Sequence, residues 1–289
     1  MARQPTLARR AEALLDSSVV ATAPVAGGDI ATATKLRLSN GTTALMKTLT
    51  GAPDDFFSVE AAGLRWLGEV PGGVRVPEVL AVDHDCLIVS WVETGRGGGE
   101  DAADLGRRLA LTHGAGAAAY GGGTAFGDGY IGRLPLPNTA APTWAEFYAT
   151  RRLLPYAKLA HDRGAMSSAE SAKIDSLVGR LSALLPEEPP SRLHGDLWNG
   201  NVLWGQEGRV TLIDPAAYGG HREVDLAMLA LFGLPHLPRM MDAYEEVSPL
   251  ADGWQDRLGL HQLFPLLVHA CLFGGGYGAR AAATAARYA

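Results

Sequence analysis

The feature that most constrains this chain is a pair of short polar motifs in its second half. His194–Asn201 reads HGDLWNGN, and Leu212–Pro215, which reads LIDP, follows after two short apolar runs. Apolar runs on either side of a glycine-containing turn predict a β-hairpin. A loop, a hairpin and a second loop in this order can bring Asp196, Asn201 and Asp214 together. The sequence therefore predicts a site built from two carboxylates and one amide.

These residue types suit phosphoryl transfer from ATP, which needs a hydroxyl in line with the γ-phosphorus and Mg²⁺ held on the phosphates. Asp196 can accept the hydroxyl proton, while Asn201, five residues later, and Asp214 can ligate the metal. The kinase catalytic loop H-R-D-x-x-x-x-N has the same spacing from Asp to Asn. Asp214 then occupies the place of the Asp in D-F-G, although Pro215 and Ala216 follow it here. Any one piece could arise by chance, but the ordered set predicts a kinase active site.

The first half of the chain supplies further parts of such a site. Lys35–Leu49 contains two β-prone runs joined by Asn40-Gly41, a pair that favours a two-residue hairpin turn. Lys47 follows on the second strand, and Glu60 lies on the next predicted helix. We expect Lys47 to reach the ATP phosphates and Glu60 to pair with it.

A glycine-containing turn, AGGD, precedes this hairpin. Its Gly27 and Gly28 could let backbone N–H groups approach the phosphates, although the segment lacks the G-x-G-x-x-G form. Trp91 and Glu93, at the end of the last strand predicted for this half, are further candidates for nucleotide contact. The chain has no G-x-x-x-x-G-K-[ST] segment, which argues against a P-loop kinase.

The predicted elements divide the chain into two lobes. Residues 1–94 should form a small antiparallel sheet with one main helix, ending near Gly68, that binds the nucleotide. Residues 95–289 should form a larger, mostly helical lobe for catalysis and substrate binding. The link Gly95–Gly99 reads GRGGG and has a flexible composition. The predicted fold class is α+β, bilobal and protein-kinase-like.

One helix of the second lobe has clear sequence boundaries. Ser167–Glu170 reads SSAE, a capping-box pattern, and apolar residues recur at helical spacing as far as Leu185. We therefore predict a single helix that Pro186 ends.

Composition and charge argue against several other functions. The net charge is −6 and no Lys/Arg cluster occurs, which disfavours a nucleic-acid partner. No apolar run is long enough for a membrane span, and the two cysteines are too few for a disulfide framework. His113, His236, His261 and His269 show no metal-ligand spacing and are predicted to be helix or core histidines. We expect a cytoplasmic protein, monomeric or a weak homodimer, and its acidic charge suits a cationic small substrate.

At its motifs the chain resembles the fructosamine kinase (ketosamine 3-kinase) family. The resemblance rests on Leu193–Asn201, LHGDLWNGN, and Leu212–Leu229, LIDPAAYGGHREVDLAML. Trp198 and the tail through Glu223 and Asp225 distinguish this pattern from aminoglycoside and choline kinases, which share only the HGD, Asn and IDP elements. The segments FGDGYIGRLPLPN and LFPLLVHACLFGGGYG are also similar, so the resemblance covers nearly the whole chain.

The resemblance implies ATP-dependent phosphorylation of the 3-hydroxyl of ketosamines, the sugar adducts of amines, and a role in protein deglycation. The sugar could be that of a fructosamine, a ribulosamine or an erythrulosamine. Asp196 would then be the catalytic base, Asn201 and Asp214 the Mg²⁺ ligands, and Lys47, paired with Glu60, the phosphate contact.

The same resemblance implies roles for four more residues. Trp198 and Asn138 become candidate substrate contacts, with packing an equally open role for Trp198. His194 would pack and form hydrogen bonds, and Asp225 would brace the catalytic loop. An aminoglycoside or choline-type kinase remains an alternative, as does a catalytically silent nucleotide-binding protein. The complete set of kinase residues argues against the silent form.

Overall fold

The computed structural model describes residues 6–26, 30–122 and 127–288. The predicted phosphate-loop residues Gly27 and Gly28 lie outside the described residues. Within the described part, none of the helices combines the length and the hydropathy that a membrane span requires.

The first lobe is a five-stranded antiparallel sheet with strand order β1-β2-β3-β5-β4. Its elements are α1 (Leu7–Leu15), β1 (Val19–Val25), β2 (Thr32–Leu38), β3 (Thr43–Thr48), α2 (Phe56–Gly68), β4 (Val79–Asp83) and β5 (Cys86–Ser90). The predicted hairpin is confirmed, but its turn has three residues between the paired Leu38 and Thr42. Gly41, at φ +85°, takes the left-handed position that such a turn requires.

The sheet packs against α1 on one face and α2 on the other, and this packing determines where Lys47 points. Met46 packs against α1, together with Leu36 and Ile88 of the neighbouring strands. Since side chains alternate along a strand, Lys47 must point to the opposite face, where α2 packs with Phe57, Ala61 and Leu64. Lys47 therefore faces the helix that carries Glu60.

The second lobe is mostly helical, as predicted. Its elements are α3 (Gly99–Gly114), β6 (Gly129–Ile131), β7 (Leu134–Leu136), α4 (Trp144–Phe147), a π-helix (Tyr148–Leu153), α5 (Leu154–Asp162), α6 (Ser168–Val178), α7 (Leu181–Leu184), β8 (Ser191–Leu193), β9 (Val202–Trp204), β10 (Val210–Leu212), β11 (Tyr218–Gly220), α8 (Glu223–Phe232), α9 (Leu237–Val247), α10 (Trp254–Phe273) and α11 (Tyr277–Ala285). The long helix α10 packs against α5, α8 and α11. The α+β, bilobal class is confirmed.

The helix predicted from Ser167 to Pro186 starts correctly and is wrong in its length. Ser167 and Glu170 form the reciprocal bonds of a capping box, with the Ser167 N–H 2.7 Å from the Glu170 carboxylate. The helix then ends at Val178, because Gly179 opens a turn before the short α7. Glycine is a poor helix former, and it outweighs the apolar spacing that continues beyond it.

The glycine-rich link between the lobes is held in place rather than left flexible. The Gly95 N–H donates to the Trp204 carbonyl at 2.6 Å, and the Gly98 N–H donates to the Asp101 carboxylate at 2.8 Å. A Cβ at Gly97 would lie 2.0 Å from the Trp204 ring. Glycine is needed here because the indole packs directly on the backbone, which composition alone does not reveal.

The β6–β7 hairpin reaches from the second lobe to the first. The Tyr130 hydroxyl donates to the Asp55 carboxylate at 2.6 Å, and its ring lies 5.1 Å from that of Phe56. At the tip of the hairpin, Arg133 donates to the carbonyl of Ile30 at 3.3 Å. We call β6–β7 and its connection to residue 138 the bridging arm.

Candidate active site

The catalytic-loop motif begins where a short two-stranded ladder ends. Strands β8 and β11 pair in antiparallel fashion, and His194 is the first residue after β8. Gly195 has φ +81°, and a Cβ there would lie 2.1 Å from the Ala216 carbonyl oxygen. The glycine of HGD is therefore required by both the backbone angle and the close approach.

Asp196 and Asn201 meet as the spacing predicts. Asn201 Nδ2 donates to the Asp196 carbonyl at 2.8 Å and to its Oδ2 at 3.1 Å. Desolvation by the surrounding protein raises the pKa of Asp196 to about 7, with the negative charges of Asp214 and Asp225 adding to the shift and the Asn201 bond opposing it. A carboxylate with such a pKa is well matched to accept a proton near neutral pH.

We expect kcat/KM for ATP to rise with pH through about 7, because Asp196 must be ionised to accept the hydroxyl proton and this ratio reports the free enzyme. The measurement is a rate profile between about pH 5.5 and about pH 9. A ratio that stays flat or falls across this range would contradict the assignment of Asp196 as the base.

Lys47 connects the two lobes through carboxylates. Its Nζ lies 2.6 Å from Glu60 Oε1 and 3.0 Å from Asp214 Oδ1. Burial opposes the lysine charge, but the carboxylates of Glu60 and Asp214 outweigh it and raise the pKa of Lys47. Asp214 has φ +55°, an uncommon angle for a residue other than glycine. The structure brings these three predicted residues together, and their catalytic roles stay predictions.

Asn201 and Asp214 also suit a hard divalent cation. The amide nitrogen of Asn201 is used within the catalytic loop, which leaves its carbonyl oxygen free of any partner among the described residues. The Asp214 side chain is 41% exposed, so its carboxylate is accessible from solvent. Oxygen donors of these two types are those that Mg²⁺ prefers.

Asp225 is completely buried and accepts hydrogen bonds from the catalytic-loop backbone. The N–H groups of His194 and Gly195 lie 2.8 and 3.0 Å from its oxygens. His113 Nε2 lies 3.2 Å from Asp225 Oδ2, and its Nδ1 lies 2.8 Å from the Tyr244 hydroxyl. Burial opposes ionisation, but the bond from His113 and the loop contacts outweigh it and lower the pKa of Asp225. Sequence analysis missed the roles of His113 and Tyr244, which lie on different helices.

His194 is used inside the loop. Its Nε2 lies 2.9 Å from the Ile213 carbonyl oxygen and therefore carries the proton, while Nδ1 accepts from the Asp196 N–H at 3.3 Å. Burial lowers the pKa of His194. Both ring nitrogens are satisfied, which favours the predicted packing and hydrogen-bonding role over proton transfer.

The two strand-end candidates lie at the junction of the lobes. Lys35 Nζ lies 4.0 Å from the centre of the Trp91 ring and 3.3 Å from Glu93 Oε1. The Glu93 carbonyl accepts from the Gln206 N–H at 3.2 Å. Glu93 thus ties the segment just before the link to the turn after β9. Nucleotide contact by Trp91 and Glu93 stays a prediction.

The two predicted substrate residues have different surroundings. Trp198, within the catalytic loop, is 38% exposed, whereas Asn138 is only 4% exposed. Asn138 Nδ2 donates to the Gly127 carbonyl, and Oδ1 accepts from Arg152 Nη2 at 2.6 Å. This buried, bonded side chain favours a structural role for Asn138 over the predicted contact with substrate.

A second polar cluster lies in the core of the second lobe. His221, Glu223 and His261 place ligand-type atoms within 4.8 Å of one another, a grouping that sequence spacing does not reveal for His261. However, His261 Nε2 accepts from Trp144, and His221 Nδ1 accepts from the Glu223 N–H. The remaining nitrogens must then carry protons, and Arg257 lies 2.6 Å from the Glu223 carboxylate. Protonated nitrogens and a carboxylate already paired with arginine make the cluster unsuited to a metal ion.

The two-lobed fold and its grouped polar residues place the chain in the class of kinase-like phosphotransferases. The residues are Lys47, Asp196, Asn201 and Asp214. A solved structure of macrolide 2'-phosphotransferase type I shares the fold, with a TM-score of 0.61, 16% identity and coverage of 100% of this chain and 99% of that one. At such low identity this likeness shows the fold alone.

The chain belongs to the fructosamine kinase family, whose model matches residues 5–288. It is similar to a crystal structure from Thermobifida fusca named for fructosamine-3-kinase, with a TM-score of 0.92, 46% identity and coverage of 98% of both chains. It is also 34% identical over 260 residues to protein-ribulosamine 3-kinase of Arabidopsis thaliana, covering 88% of this chain and 78% of the relative. The resemblance inferred from the motifs is confirmed.

Proposed function

We propose that this protein transfers the γ-phosphoryl group of ATP to the 3-hydroxyl of a ketosamine. The observation that carries the proposal is that the Asp196–Asn201 pair lies next to the Lys47–Asp214 pair. The Ile213 N–H, beside Asp214, donates to the Asn201 backbone carbonyl at 3.0 Å. The relatives named for fructosamine-3-kinase and protein-ribulosamine 3-kinase support the choice of acceptor.

In this mechanism Asp196 accepts the proton of the 3-hydroxyl as that oxygen bonds to the γ-phosphorus. The bond between the γ-phosphorus and the bridging oxygen breaks, and ADP leaves. Lys47, held by Glu60 at 2.6 Å, donates to the phosphates. Asn201 and Asp214 would hold Mg²⁺, which neutralises charge on the phosphates when bound.

A row of aromatic rings beside the catalytic loop supports an amine-bearing acceptor. The Trp198 and Phe232 rings lie 6.3 Å apart, and the Phe232 and His269 rings 4.7 Å apart. Phe273 and Tyr277 flank His269 at 5.4 and 5.1 Å. Aromatic faces attract cations, and the amine of a ketosamine is cationic at neutral pH.

His269 adds a hydrogen-bond acceptor to this row. Its Nδ1 lies 2.8 Å from the Pro265 carbonyl oxygen and must carry the proton, so Nε2 presents a lone pair. Burial lowers the pKa of His269, which keeps the ring neutral. A neutral imidazole among aromatic rings suits a substituted ammonium group better than an anion.

We expect ATP consumption with Mg²⁺ in the presence of a ribulose-, erythrulose- or fructose-derived lysine adduct, and none above background with choline or an aminoglycoside. The measurement is coupled ADP formation across this panel. Turnover with choline or the aminoglycoside alone would retain the kinase chemistry and refute the ketosamine acceptor.

A further inference from the structure

Arg152 is a completely buried cation outside the residues assigned to the reaction. Its guanidinium carbon lies 4.0, 4.7 and 5.2 Å from the ring centres of Tyr218, Phe147 and Phe264. Its polar contacts are to carbonyl and amide oxygens, and no carboxylate of the described residues pairs with it. Burying a charge without a counter-ion is costly, and an apolar side chain would fill this space at a smaller cost.

One side of Arg152 holds the bridging arm. Nη1 donates to the Pro137 carbonyl at 2.7 Å, and Nη2 donates to Asn138 Oδ1 at 2.6 Å. The Asn138 N–H in turn donates to Asp128 Oδ1 at 2.7 Å, which closes the base of the arm. The arm contacts α2, the helix that carries Glu60, through Tyr130.

The other side of Arg152 supports the catalytic loop. The Tyr218 ring that the guanidinium covers lies directly under Gly195, where a Cβ would come within 3.0 Å of the ring. Gly195 immediately precedes Asp196. A shift of the Tyr218 ring would therefore move the backbone that places the catalytic carboxylate.

The local helix is arranged to deliver this side chain. Arg152 lies in the π-helix Tyr148–Leu153, and extra-residue turns of this kind are frequent at functional sites. Pro155 has no N–H and therefore cannot donate to a carbonyl of that turn. Arg152 Nη1 donates to one of these carbonyls, that of Arg151, at 3.2 Å. The guanidinium thus also satisfies the backbone of the turn that carries it.

We propose that Arg152 is a positioning residue that couples the bridging arm to the catalytic loop. It contacts no reacting atom and acts through Tyr218 on one side and Asn138 on the other. The inference rests on the proposed kinase function for its effect on rate, while the mechanical coupling itself can be measured without turnover.

The test uses the full chain and two variants, Arg152→Lys and Arg152→Gln. We expect kcat with a ribulose–lysine adduct to fall roughly 10- to 100-fold, because a small misplacement of a reacting group has effects of this size. KM for ATP should stay within about twofold, since Lys47 and the link are not touched. Hydrogen exchange should become faster in two segments only, residues 127–138 and 193–201.

Arg180→Lys is the control, because Arg180 also donates to a backbone carbonyl of the second lobe, that of Tyr288 at 2.7 Å, and neither residue belongs to the site or the bridging arm. It should leave kcat and the exchange of both segments unchanged. Unchanged kcat and exchange in the folded Arg152→Lys protein would overturn the proposal, as would faster exchange across the whole second lobe. If the wild-type chain turns over no ketosamine, the proposed function fails, and the exchange comparison still decides the coupling.

Discussion

Asp196→Asn is expected to lower kcat by roughly 10²- to 10⁴-fold, the range that general-base catalysis supplies. The amide has the same shape as the carboxylate but cannot accept the hydroxyl proton. Binding of ATP should be retained, because Lys47 and Glu60 remain paired at 2.6 Å on the other lobe. The measurements are steady-state turnover and calorimetric titration of ATP.

The same variant should not be less stable above about pH 7. Since the pKa of Asp196 is raised in the folded protein to about 7, ionisation of this group opposes folding once the pH exceeds its unfolded value. Replacing the carboxylate removes that opposition. Asp162→Asn is the control, because Asp162 is an exposed partner of Lys158 and lies outside the site. Turnover by Asp196→Asn at the wild-type rate would refute the catalytic role.

Asp225→Ala is expected to lower the free energy of unfolding by about 3–5 kcal/mol, the usual cost of breaking a buried charged network. The change leaves the N–H groups of His194 and Gly195 without their acceptor and removes the partner of His113. The measurement is denaturant unfolding of the wild-type and variant chains.

Asp225→Asn provides the comparison, because it keeps the volume and one acceptor oxygen and should lose less stability. Arg239→Ala is the surface control, since it breaks only an exposed ion pair with Glu100. A loss below about 1 kcal/mol in Asp225→Ala, typical of a surface change, would show that the catalytic loop does not depend on this carboxylate.

Those parts of the site that depend on short sequence separations could be predicted. Asp196 and Asn201 lie in one loop and meet at 3.1 Å, so their spacing was sufficient. The β2–β3 hairpin and the alternation along β3 likewise place Lys47 against α2. Local periodicity and turn chemistry contain this information.

Other parts depend on contacts between distant elements. His113, Tyr244 and Asp225 lie on three helices and form one buried chain of hydrogen bonds, which no local pattern encodes. Arg152 would be placed at the surface by its residue type, yet it is 0% exposed because three aromatic rings and two backbone carbonyls enclose it. The glycines of the link suggest flexibility by composition alone. Only the Trp204 ring, packed on the backbone, shows why glycine is required there.

The most direct test of the central claim is to identify the product formed from a ribulose–lysine adduct, ATP and Mg²⁺ by phosphorus and carbon NMR. The account predicts a single product phosphorylated on the 3-hydroxyl, with one ADP formed for each product molecule. ADP formation without a phosphorylated adduct, or phosphate on a different hydroxyl, would contradict it.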